Sequence, residues 1–272
     1  MKVGNKVWVV TGAGSGMGRE LVLELLERGA RVAAADRDHT GLEQLATVVT
    51  DGERLSTHEL DITDRAAVEA LPAAVEAAHG AVDGLINNAG IIQPFMPVAD
   101  LDDATIQRVL DVNLIGTLNM VRAFVPRLSA RPEAHVANVS SMGGFFPFPG
   151  QTVYGASKAA VKLLTEGLYA ELVDTSVRVT AIFPGAVNTA ISANSGVAPP
   201  EGADSGRVPL TPADKAARIM IEGIEKDKLH VYVGKDATLM NLAIKVAPRT
   251  AIRLVQKLMS KRTGAPGSHA TS

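Results

Sequence analysis

The chain contains no cysteine, so neither a disulfide framework nor a thiolate metal site is available to it. Aromatic residues make up only 4%, with one tryptophan, three tyrosines and six phenylalanines, so the position of each is informative. No apolar run approaches the ~20 residues needed to cross a bilayer. The first residues, Met1 to Lys6, lead straight into a strand-like run with no secretory hydrophobic region. A formal charge of −2 argues against nucleic-acid binding by the chain as a whole. These absences lead us to expect a soluble cytoplasmic protein with no metal centre and no nucleic-acid partner.

What is present is an alternation of strand and helix patterns over 272 residues that are 46% hydrophobic, with 25 glycines and 14 prolines. That length suits one large α/β domain. Strand-like runs fall at Val7–Thr11, Arg31–Ala35, Leu55–Leu60, Gly84–Ile86, His135–Val139, Val177–Ile182 and His230–Val233. Several read as buried throughout, as the strands of a parallel sheet do. Amphipathic helical stretches lie between them at Gly18–Arg28, Thr40–Thr50, Arg65–Ala78, Asp102–Leu128, Val153–Leu172 and Pro212–Lys226. Repeated βα units predict a doubly wound parallel sheet of about seven strands with helices on both faces. Such sheets bind ligands at the carboxyl ends of their strands, so motifs there carry the functional reading. We divide the chain into a domain over 1–236, which includes a long irregular loop at 186–210, then helices over 237–262 and a tail at 263–272.

Four features stand at those strand ends. The first strand runs into Thr11-Gly12-Ala13-Gly14-Ser15-Gly16-Met17-Gly18, and a helix follows. Glycines there let the backbone approach a pyrophosphate while the helix N-terminus supplies amide donors; an ordinary tight turn is the plainer reading. Asp36 ends the second strand, 18 residues beyond Gly18, where an acid could accept from the hydroxyls of an adenosine ribose. It would repel a 2′-phosphate, which favours NAD over NADP, whereas Arg37 beside it could pair with one. Asp61 ends the third strand and reads either as a contact for adenine or as a helix N-cap. Finally, Tyr154 and Lys158 are four apart in a helical stretch, so they share one face. A fixed cation would pull the phenol below its usual value near ~10, although the spacing alone also fits a solvated helix pair.

The ordered set Thr11-Gly12-x-x-x-Gly16-x-Gly18, Asn87-Asn88-Ala89-Gly90, Asn113, Ser141, Tyr154-x-x-x-Lys158 and Pro184-Gly185 resembles the short-chain dehydrogenase/reductase family, in its compact single-domain branch. The resemblance covers about residues 5–235 and implies a Rossmann-type fold. It implies that Tyr154 exchanges a proton with the substrate oxygen, that Lys158 lowers the Tyr154 pKa and bonds the nicotinamide ribose, and that Ser141 binds the substrate oxygen. Ser141 is chosen over Ser140 because it lies thirteen residues before Tyr154. Asn113 would hold the water of a proton relay. The cofactor, NAD with NADP as the alternative, would meet Gly12, Ser15, Gly16, Met17, Gly18, Asp36, Arg37, Asp61, Ile62, Asn87, Asn88, Ala89 and Gly90. It would also meet Tyr154, Lys158, Pro184, Gly185, Val187 and Thr189. The implied activity is interconversion of a secondary alcohol and a ketone in a homotetramer or dimer built on the two long helices.

The scarce aromatics bear on the substrate. Phe95, Phe145, Phe146, Phe148 and Phe183 lie in or beside loops at the carboxyl edge, and only Phe124 sits clearly within a helix. With Ser141 and Tyr154, Phe145 and Phe148 are expected to line an apolar pocket for a hydrophobic alcohol or ketone. Packing among loops or subunits is the alternative. Between Lys235 and Arg262 there are seven basic residues and one acid, a local charge of +6. Pro248 should start a second helix there. Solvated charges on helices packed against the domain are the favoured reading, and a membrane-surface contact is the other. Two further functions remain to be weighed: a nucleotide-sugar epimerase or dehydratase, and a non-catalytic dinucleotide-binding sensor or scaffold.

Overall fold

A computed structural model describes residues 1–189, 191–198 and 210–263, with side chains as far as Met259. Residues 199–209 of the irregular loop and the tail from 264 onward lie outside the described residues. Seven strands form one sheet: β1 (Val7–Thr11), β2 (Arg31–Asp36), β3 (Leu55–Glu59), β4 (Gly84–Asn87), β5 (Ala134–Val139), β6 (Val177–Pro184) and β7 (His230–Val233). All pairs are parallel, in the order β3-β2-β1-β4-β5-β6-β7. The reversal of winding between β1 and β4 opens a crevice at their carboxyl ends.

Alternation along β1 shows how the sheet separates two cores. Trp8 and Val10 join one apolar cluster with α1 (Gly16–Glu27), α2 (His39–Val48) and α8 (Ala213–Glu225). Val7 and Val9 point the other way, toward α3 (Arg65–His79), α5 (Thr117–Leu128) and α6 (Thr152–Leu172). Strands covered on both faces need apolar side chains on both, which explains their continuous rather than alternating hydrophobicity.

The stretch expected as one helix over Asp102–Leu128 is interrupted. It comprises α4 (Asp103–Leu110), a π turn over Asp111–Gly116 and then α5. The Asp102 side chain accepts from the Thr105 amide at 2.7 Å and caps α4. A π turn leaves the regular hydrogen-bond ladder and re-aims one side chain, here inward. A short helix α7 (Ile191–Asn194) follows β6, and two helices close the chain: α9 (Lys235–Val246) and α10, which begins at Pro248 and runs to Thr263.

Gly84 opens β4 against the buried Trp8 indole. A Cβ added there would lie 2.3 Å from Trp8 Cε3. Neither a central strand nor a fully buried indole can yield readily. Gly84→Ala is therefore expected to lower the free energy of unfolding by about 1–3 kcal/mol, measured as a lower urea midpoint with unchanged slope.

Candidate active site

The glycine loop after β1 is shaped by close approaches. Gly12 and Gly16 have φ of +67° and +51°, a region that favours glycine. Gly18 plays a packing role: a Cβ there would fall 1.8 Å from the Gly12 carbonyl oxygen. It is buried and does not line the adjoining cavity, so α1 sits directly on its own loop. Ser15 occupies the N-cap of α1 yet makes no capping bond; its Oγ accepts from Asn194 Nδ2 at 2.7 Å. The first turn of α1 also has no acid. Its free amides and positive dipole end therefore face a cavity of about 310 Å³ suited to an anion.

That cavity brings together most of the residues expected at the cofactor: Gly12, Ser15, Gly16, Met17, Asp36, Arg37, Asp61, Ile62, Asn88, Ala89, Gly90 and Thr189. Asp36 Oδ2 accepts from the Gly14 amide at 2.8 Å and Oδ1 from the Asp38 amide at 2.9 Å. Its carboxylate is thus pinned at the rim of the glycine loop. Arg37 is exposed and donates to the Asn194 carbonyl at 3.4 Å. Asp61 does not cap a helix; Asp64 caps α3, while Asp61 Oδ1 accepts from the Thr63 amide and hydroxyl at 2.8 and 2.7 Å. A glycine cradle, an uncapped helix start and a strand-end carboxylate fit a dinucleotide.

Three expected cofactor contacts lie elsewhere. Val187 packs toward the core on the α1 side of the sheet and pairs with Thr211, so its side chain does not reach the cavity. Pro184 and Gly185 line a second, more apolar cavity of about 250 Å³.

Ser141 and Tyr154 stand on the wall of that second cavity with Ile92, Phe95, Met142, Phe148, Gln151 and Met259. Phe145 is not part of the wall. Its ring meets those of Phe183 and Tyr232 edge-on at 5.6 and 5.8 Å, because β6 and β7 offer it an aromatic partner on each. Phe146 and Phe183 are fully buried, so of the five loop phenylalanines only Phe95 and Phe148 face this space. Ser141 Oγ accepts from the Gly143 amide at 3.0 Å, and a Cβ added at Gly143 would lie 3.4 Å from that oxygen and 3.3 Å from the Tyr154 ring, so the two side chains are neighbours.

Behind these hydroxyls lie two buried polar groups. The π turn points Asn113 inward, where Oδ1 accepts from the Ile91 amide at 2.8 Å. Its Nδ2 donates to the Ile91 carbonyl and to Ser157 Oγ, both at 2.9 Å. Lys158 Nζ donates to the Val139 carbonyl at 3.0 Å. Gly90 separates the two, for a Cβ there would lie 2.9 Å from Lys158 Nζ and 3.2 Å from Asn113 Oδ1. Burial depresses the Lys158 ammonium from its ordinary value to about 8. Burial raises the Tyr154 phenol, partly offset by the neighbouring Ser141 hydroxyl. Desolvation thus outweighs the lowering expected from Lys158, whose ammonium donates to the Val139 carbonyl.

Two glutamines escaped sequence reasoning. Gln93 Oε1 accepts from the Tyr154 amide at 2.8 Å, and Gln151 Nε2 donates to the Gln93 carbonyl at 2.9 Å. Together they hold the N-terminus of α6, which lacks a side-chain cap of its own. Lower on α6, Thr165 Oγ1 accepts from Asn138 Nδ2 at 3.0 Å, and Asn138 Oδ1 accepts from Asn87 Nδ2 at 2.8 Å. Loop glutamines carry no periodic signal, and their partners are far away in sequence. Met259 was hidden for the same reason.

The family model described as short chain dehydrogenase matches residues 6–198. SadH of Mycobacterium tuberculosis, which carries the name of an oxidoreductase, is 34% identical over 266 residues, covering 94% of this chain and 96% of its own. Among solved structures, a short chain dehydrogenase from Burkholderia cenocepacia in complex with NADP superposes with a TM-score of 0.77 at 30% identity, covering 98% of this chain and 100% of the other. One from Burkholderia phymatum in complex with NAD gives 0.80 at 26% identity, covering 98% and 99%. The chain belongs to the short-chain dehydrogenase/reductase family of oxidoreductases.

The buried lysine has a consequence for stability. Below about pH 8 it is charged in both folded and unfolded chains, and its burial cost is fully expressed. Between there and 10.5 the unfolded chain holds a proton the fold has released, so stability rises with pH. The displacement corresponds to roughly 3 kcal/mol, less about 1 kcal/mol for the Val139 carbonyl a variant would orphan. Lys158→Met should therefore be more stable than the parent by about 1–3 kcal/mol at pH 7, with the gap closing toward pH 10. Urea unfolding at the two pH values checks this; a variant less stable at pH 7 contradicts it.

Proposed function

We propose that this chain is an NAD(P)-dependent oxidoreductase that interconverts a hydrophobic secondary alcohol and its ketone. The observation that carries the reading is the placement of two neighbouring hydroxyls, Ser141 and Tyr154, on the wall of an apolar cavity. When bound, the nicotinamide cofactor supplies the hydride acceptor or donor. The protein itself must then hold the substrate oxygen, exclude water and move one proton.

Ser141 Oγ is oriented by the Gly143 amide, and its proton can turn from the neighbouring Tyr154 phenol to a substrate oxygen. Tyr154 gives up or receives the proton on that oxygen, in the role of general acid or base. A phenol raised by burial is a poor base unaided, so the charge on Lys158 behind Gly90 supports the phenolate as it forms. Asn113 ties the loop after β4 to α6 and holds that lysine's surroundings in place. A water relay past Asn113 would carry the proton onward.

Asp36 at the cavity rim favours NAD, since a 2′-phosphate would meet a fixed carboxylate. The exposed Arg37 leaves NADP as a usable alternative. Ile115, Leu163, Tyr169 and Val173, on the π turn and around α6, are between 41% and 69% exposed. Such a surface supports assembly of a homodimer or tetramer through these helices.

The decisive variant is Tyr154→Phe, which removes one oxygen from a half-buried ring. Turnover should fall by about 10²–10⁴-fold, while binding of reduced nicotinamide, followed by its fluorescence, stays within about twofold. Unchanged turnover would overturn the mechanism. The substrate class is tested separately with straight-chain secondary alcohols of rising length. Each added methylene should raise kcat/KM about two- to fourfold until the cavity is filled, and a preference for small polyols would sink the hydrophobic reading.

A further inference from the structure

Helices α9 and α10 leave an apolar ridge uncovered beside the chain's densest positive charge. On α9, Ala237 is fully buried, and the opposite face presents Leu239, Leu242 and Val246 at 62%, 60% and 75% exposure. On α10, Val255 packs inward, whereas Leu254 and Leu258, one turn apart, are 58% and 53% exposed. Lys245, Arg249 and Arg253 are exposed among these leucines and form no ion pair among the described residues. The segment from Lys235 to Arg262 carries +6, so the rest of the chain carries −8.

We propose that α9 and α10 form a peripheral docking surface for an anionic lipid bilayer. Apolar side chains exposed next to unpaired cations suit the boundary between headgroups and acyl chains, where both are satisfied. A second copy of this chain fits less well. A two-fold interface sets a patch against itself, and here +6 would face +6. Among the described residues no helix is long and apolar enough to cross a membrane, so the contact is superficial. Met259 of α10 lines the apolar cavity that holds Ser141 and Tyr154. Docking would therefore bring that cavity close to the lipid boundary, from which an apolar molecule could enter. The docking surface itself does not depend on the proposed reaction.

The test is flotation of the full chain with vesicles of phosphatidylcholine alone, or of phosphatidylcholine containing about one-third phosphatidylglycerol. The expected result is at least tenfold more protein on the anionic vesicles, most of it released at about 0.5 M salt, where charges are screened within roughly 4 Å. The triple variant Leu239→Ser/Leu242→Ser/Val246→Ser and the double variant Arg249→Gln/Arg253→Gln should each cut binding more than fivefold. Circular dichroism and sedimentation velocity of both should match the parent. No partitioning, partitioning that ignores lipid charge, or variants that bind as the parent does would overturn the proposal. So would a triple variant whose assembly size drops in the absence of lipid, because the ridge would then belong to a second copy.

Discussion

The segment Asn88–Gln93, which has no regular secondary structure, is the part on which the rest of the site depends. Its buried backbone groups must find partners outside any ladder, and each partner comes from a different element. Thr11 Oγ1, at the end of β1, accepts from the Asn88 and Ala89 amides at 3.0 and 3.1 Å. Asn113 holds both backbone groups of Ile91. Ser195, just after α7, accepts from the Ile92 amide at 3.0 Å. Gln93 then reaches the first turn of α6 at Tyr154. The glycine loop, the π turn, the irregular loop and the helix that carries Tyr154 and Lys158 are thereby fixed to one short stretch of chain.

This arrangement accepts instability for chemistry. Lys158 would cost less if it reached solvent, but Gly90 and the Val139 carbonyl hold it inside. The sheet below offsets such local losses through two apolar cores that share its strands. Of the side chains proposed to act in the reaction, Ser141, Lys158 and Asn113 are bonded to backbone groups, so their geometry is set before any ligand arrives. The apolar cavity beside them takes its wall from β4, β5 and β6 loops and from α10. Chain segments more than a hundred residues apart thus meet around one small volume.

Much of this was legible in the chain itself. The sheet follows from buried apolar runs and the glycine-rich turn after β1, because period and turn chemistry are local properties. The motifs at strand ends likewise announced themselves, since a parallel sheet gathers all its carboxyl ends on one edge. Helix ends were less legible: the stretch from Asp102 to Leu128 is periodic throughout, and nothing local announces the π turn at Asp111–Gly116. That turn matters, because it aims Asn113 at Ile91 instead of along the helix face.

What the sequence determined by itself was the α/β class, the family-like order of Gly12–Gly18, Asn113, Ser141, Tyr154 and Lys158, and the positive C-terminal segment. Only the tertiary structure decided which phenylalanines face the cavity, because Phe145 turns to Phe183 and Tyr232 across strands far apart in the chain. It also decided that Gly18 packs α1 onto its loop, that Val187 turns to the core, and that Gln93 and Gln151 secure α6. The sign of the Tyr154 perturbation was decided there too. Helix spacing places a lysine beside a tyrosine, but burial and the direction of the ammonium set the balance, and both are properties of the packed molecule.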